Sequence, residues 1–195
     1  LVVQVLVAAM HKFSGGMGDE DDTDIKNEQE WQRFFVAPLE NTAKIVQTSK
    51  ENGEAAHYSS FRFPNESTLY HVAGSKHVHL VIRSAADIEL YVEQRFMVAR
   101  NVGRALMAFF AKINDEVCAR THARRARLSR HAWLMVSLPC QAIHRFTSHL
   151  IDNDQTATFE ILQPTYQHVE FFEFTEPRLK FICLTNNNEA VASRE

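Results

Sequence analysis

The densest chemical signal in the chain is ARTHARRARLSRHAW, residues 119–133, which holds Arg120, Arg124, Arg125, Arg127 and Arg130 with two histidines and no acidic residue. Guanidinium groups stay charged at any working pH and grip carboxylates or phosphates through paired hydrogen bonds. Projected at about 100° per residue, Arg120, Arg124, Arg127 and His131 share one helical face, and Ala119, Ala123, Ala126 and Trp133 form a small apolar seam beside it. Like charges so spaced repel one another by a few tenths of a kcal/mol per pair at a solvated surface, and an anion relieves that repulsion. The expected anion- or partner-binding residues are therefore Arg120, Arg124, Arg125, Arg127, Arg130 and His131. A protein partner, a second copy of the chain, a nucleic acid or a phospholipid would each supply the charge. So would the chain's own acidic run, Asp19, Glu20, Asp21, Asp22 and Asp24.

A second constellation is YHVAGSKHVHL, residues 70–80. His77 and His79 fall on one side of a strand, the spacing at which two imidazoles share a zinc ion. The third ligand depends on the turn. If Gly74-Ser75-Lys76 is the loop, His71 opposes His79, and His71, His77 and His79 share a face; if Gly74-Ser75 alone turns the chain, as glycine in a type II′ turn favours, His71 moves to the other face. A zinc-dependent enzyme built on this trio is the alternative function, and zinc is the one cofactor the residues suggest. No carboxylate follows closely enough to complete a His-X-His site.

Weaker matches explain themselves more simply. Asp19, Asp21, Thr23, Asn27 and Glu30 fall at ligand positions of an EF-hand calcium loop, but Asp24 stands where the sharp turn needs glycine, so the stretch reads as a solvated acidic loop. Cys140 and His144 are four-residue neighbours at a helix start that Pro139 fixes, which suits a buried thiol better than a nucleophile. The glycines of GGMG are followed at once by acids, which would repel a phosphate. Asn65-Glu66-Ser67 matches a glycosylation sequon of the kind that arises often by chance.

These residues sit in a chain of 195 residues with 45% hydrophobic content and 14 phenylalanines, enough for one packed domain. A formal charge of −3 and a pI near 6.4 argue against a surface built wholly for nucleic acid, so any anion site is local. Cys118, Cys140 and Cys183 are odd in number and far apart, as reduced thiols of an intracellular compartment would be. LVVQVLVAAM is too short to span a bilayer and lacks the basic flank of a signal peptide, so it reads as a buried strand. A chain that begins at Leu1 suits a processed product or a fragment.

The elements that must position these groups follow from hydrophobic period. An acidic, glycine-rich loop is expected at about 13–24, then a helix around Trp31, Phe34 and Phe35 that stops near Pro38, and a second helix closed by Gly53. From Tyr58 the period becomes two, and the breaks at Pro64-Asn65 and Gly74-Ser75 predict a three-stranded meander. Ser84 and Asp87 have the form of a capping box opening a helix over 85–112, with Ile88, Val92, Phe96, Ala99, Val102, Leu106 and Phe109 on its buried face. Asn114-Asp115 would end it and start the arginine helix, which Pro139 closes; a third helix carries Ala142, Ile143, Phe146 and Leu150 inward. Period two returns in TFEIL, HVEFFEF and RLKFICL, where Val169 and Phe171 point opposite to Phe172 and Phe174, an aromatic strand surface.

The expected fold is a single α+β domain over 1–195, two groups of antiparallel strands flanking a central set of long helices. The expected function is a non-catalytic interaction or structural subunit of a larger assembly, docking through the arginine helix and the aromatic strand. A nucleic-acid or anion-binding module is the remaining alternative.

Overall fold

A computed structural model describes residues 4–10, 37–44, 46, 51–126, 142–164 and 173–188, with backbone alone along 117–126 and at 142. The chain divides into two compact units, one of Leu1–Ala9 with Glu51–Glu195 and one of Met10–Lys50. In the smaller unit Pro38 precedes a 3-10 turn, Leu39–Asn41, after which Thr42 is extended. The predicted second helix is therefore absent at 39–44. The loop at 13–24 and the helix around Trp31 lie outside the described residues.

The larger unit is built on one antiparallel sheet. Strands β1 (Glu54–Phe61), β2 (Tyr70–Ser75) and β3 (His79–Ile82) form the predicted meander. Between β1 and β2, Phe63 to Glu66 close a turn with Pro64 second and Asn65 third, at φ 67°, which is the type II pattern. The β2–β3 turn differs from both sequence expectations. Ser75 N–H donates to Val78 C=O at 2.9 Å, so Lys76-His77 is the tip, and Gly74 lies opposite His79.

Helix α1 (Ala85–Ile88) begins where the capping box predicts, but Ser84 makes no side-chain cap bond. Asp87 supplies the working half by accepting the Arg83 N–H at 2.8 Å. The expected helix over 85–112 is corrected at both ends. It breaks after Ile88, passes a 3-10 turn at Gln94–Phe96, and resumes as α2 (Met97–Ala126). Tyr91 holds the break by donating its hydroxyl to Val81 C=O at 2.8 Å. Val92, predicted to be buried, is consequently 76% exposed. Glu89 ties the two helices together with Arg104 and Arg100, and the Arg104 hydrogen bond leads in holding its carboxyl down to about 2. At the other end, α2 runs straight through Asn114-Asp115. No glycine or proline interrupts residues 104–126, and Asn or Asp inside a helix costs only a few tenths of a kcal/mol.

Helix α3 (Ala142–Asp152) then leads into β4 (Gln155–Leu162) and β5 (Arg178–Asn186). The sheet order is β3-β2-β1-β4-β5, five strands among the described residues. Among the described residues the strands thus make one sheet with one long helix, not two groups flanking several. The reason lies in β1, whose second edge must satisfy its backbone groups and does so against β4, with Ala56 opposite Phe159 and His57 opposite Thr158. Helices α2 and α3 bury Val102, Leu106, Phe110 and Leu150 against Ala56, Tyr58, Ala73, Ala157, Phe159 and Ile161. A smaller cluster joins Leu80, Ile82, Ile88 and Ala99. No described helix is long and apolar enough to cross a membrane.

Candidate functional site

Strand geometry sends alternate residues of β1 to opposite faces, and each face collects a polar group. Tyr58 and Ser60 lie on the face that the helices cover. Ser60 Oγ donates to Tyr58 Oη at 2.9 Å, and Tyr58 Oη lies 2.7 Å from His71 Nδ1. Burial pushes the Tyr58 hydroxyl well above its ordinary pKa, so it keeps its proton. Burial lowers the pKa of His71 as well. Phe110 packs edge-on against Tyr58 at 4.9 Å between ring centroids, and Phe146 stacks on it at 6.2 Å.

On the other face His57 and His79 meet across the intervening strand, with His57 Nδ1 3.2 Å from His79 Nε2. They meet because the residue between them is Gly74, opposite His57 on one side and His79 on the other. A Cβ there would sit 2.1 Å from Val78 O and 2.5 Å from His79 Cα. The rings stack with planes 25° apart and centroids 5.4 Å apart, which leaves one nitrogen of each within hydrogen-bond distance of the other. Desolvation pushes His79 down to about 4, helped by the charge His57 would carry. Desolvation also lowers His57, against a backbone hydrogen bond at Ser75 that raises it.

The sequence-predicted residues are distributed as follows. His71 and His79 are on opposite faces, and His77 is exposed at the turn tip, so the trio of His71, His77 and His79 is not brought together. No group of three or more His, Cys, Asp or Glu residues among the described ones is arranged to hold a metal ion. Arg120, Arg124 and Arg125 lie in α2; Arg127, Arg130 and His131 lie outside the described residues, as do Cys140, Val169, Phe171 and Phe172. Phe174 is described, with the Arg178 guanidinium 4.1 Å over its ring. Cys183 is a free thiol whose pKa burial raises.

Sequence reasoning missed His57 and Tyr58. The alternation of EAAHYSSF could have placed them on opposite faces, but their partners depend on strand register. It also missed an apolar groove of about 240 Å³ lined by Phe109, Phe110 and Ile113 of α2, Ile143 and Phe146 of α3, and Phe159 and Phe181 of the sheet. Phe181, at its rim, is 52% exposed. No protein-family model, curated protein or solved structure matches the chain.

Proposed function

We propose that the chain is a non-catalytic interaction subunit that docks an acidic, apolar segment of a partner protein along α2. The observation that carries this reading is the continuity of that helix. Ile113 lines the apolar groove, and positions 120 and 124 of the same unbroken helix fall within about 20° of it in projection. One stripe therefore passes from exposed aromatic surface into arginines. An amphipathic segment whose Phe or Leu side chains enter the groove and whose carboxylates reach Arg120 and Arg124 would gain apolar burial at one end and charge-assisted hydrogen bonds at the other. Phe181, at the groove rim, adds an exposed aromatic ring to that surface. A nucleic acid would use the arginines and leave the groove idle.

Fluorescence anisotropy with three labelled probes tests the reading: a peptide alternating Glu with Phe and Leu, a peptide of equal charge without apolar residues, and a single-stranded oligonucleotide. The first should bind best, weaken with salt, and lose about tenfold or more in affinity with either Phe181→Asp or the Arg120→Glu/Arg124→Glu pair. Tighter binding of the oligonucleotide, indifferent to Phe181→Asp, would establish the nucleic-acid alternative instead. Failure of the first peptide to outbind the second sinks the proposal.

A further inference from the structure

At the entrance to β1 an asparagine stands directly before a glycine, Asn52-Gly53. Packing requires the glycine. A Cβ at position 53 would collide with the carbonyl carbon and oxygen of Ile161, main-chain atoms of the neighbouring strand β4. No side chain therefore shields the amide nitrogen that follows Asn52. That nitrogen has a partner. Gly53 N–H donates to Glu160 Oε1 at 2.8 Å, within the range at which a carboxylate can take up a proton. The pairing of β1 with β4, in which Ala55 stands opposite Glu160, brings the carboxylate there from 107 residues away. Asn52, Gly53 and Glu160 are all half-buried, so water reaches each of them.

We propose that Asn52 is a site of self-modification, losing its side-chain amide as ammonia to attack by the Gly53 nitrogen, with Glu160 as the positioned base. Glu160 Oε1 takes the Gly53 N–H proton as that nitrogen forms a bond to Asn52 Cγ. The Cγ–Nδ2 bond then breaks, and Nδ2 leaves as ammonia carrying the proton. A five-membered cyclic imide remains, and Glu160 is a carboxylate again. Water opens the ring, at Cγ to give aspartate or at the Asn52 main-chain carbonyl carbon to give isoaspartate. Water is the only co-reactant. Nucleophile and target belong to one dipeptide, so the attack is intramolecular and needs no encounter. The product adds a carboxylate between Glu51 and Glu54. In its isoaspartate form it also lengthens the main chain by one atom just before Gly53, where the approach to Ile161 leaves no room.

The purified full-length chain, incubated at neutral pH in heavy-oxygen water and mapped by peptide mass, tests this. Residue 52 should exchange its amide for an acid bearing one heavy oxygen, and should do so faster in the folded chain than in the same chain unfolded in urea. Glu160→Gln keeps an acceptor for Gly53 N–H but cannot take its proton. It should slow the folded chain about tenfold or more and leave the rate in urea unchanged. Glu160→Asp, which draws the carboxylate back by one methylene, should slow the folded chain as well and serves if the glutamine variant misfolds. Conversion of the wild-type chain that is no faster folded than in urea overturns the proposal, because the fold then shields Asn52. A folded Glu160 variant that converts at the wild-type rate overturns it too, by removing the base.

Discussion

The two faces of the sheet hold similar chemistry in opposite surroundings. Beneath the helices, His71 ends a hydrogen-bonded chain from Ser60 through Tyr58, walled by Phe110 and Phe146. On the other face, His57 and His79 bond directly to each other across Gly74, and the buried neighbours of His57 along the sheet are Ser59, Thr156 and Thr158. One face is an apolar core with a single polar hub; the other is a buried polar surface. The contrast shows that burial alone does not mark a core. A strand such as β1, buried from Ala56 to Phe61, divides its work by alternate residues.

If the helix-covered face supplies the stability, truncation there is the costliest change. Leu106→Ala, at a fully buried position, should cost about 2–5 kcal/mol, while Thr156→Ala on the other face should cost about 1–2 kcal/mol through a lost hydrogen-bond hub. Equal losses in urea melts would break the comparison. Next, Gly74→Ala should destabilise by roughly 1–3 kcal/mol, because the new methyl group meets main-chain atoms that cannot swing aside. The same variant should separate His57 from His79 and leave the Tyr58–His71 bond intact, a distinction imidazole NMR shifts can read.

Tyr58→Phe sharpens the contrast from the other side. It strands Ser60 and His71 without their shared partner, and should cost about 1–2 kcal/mol with no change in the His57–His79 signals. The smallest effect is that of pH. The folded pKa values of His57, His71 and His79 all lie below 6.5, so the unfolded chain binds more protons in that range. Their contribution is therefore full above pH 6.5 and is lost as pH falls toward about 4, where His79 titrates. Solvent at the partly exposed His79 reduces its share to roughly 1 kcal/mol. His79→Asn should flatten the acid slope of stability more than His71→Asn does; the reverse ranking would place the proton-sensitive group under the helices.

Local pattern determined much of this protein. The meander from β1 to β3, the turn at Pro64-Asn65, the start of α1 at Ser84, and the inward placement of Ile143, Phe146 and Leu150 on α3 were all legible. Each depends on side-chain period or on a backbone preference within a few residues. What only tertiary structure decided involves partners distant in sequence. The break after Ile88 follows from Tyr91 reaching the β3 backbone, and helical period in 85–112 contains no trace of that bond. The pairing of β4 with β1 turned two strand groups into one sheet. The β2–β3 register moved His79 away from His71 and brought it to His57, 22 residues away. A period of two says which residues of a strand share a side; it does not say which residue of the next strand stands opposite, and a one-residue shift in that register exchanges the faces.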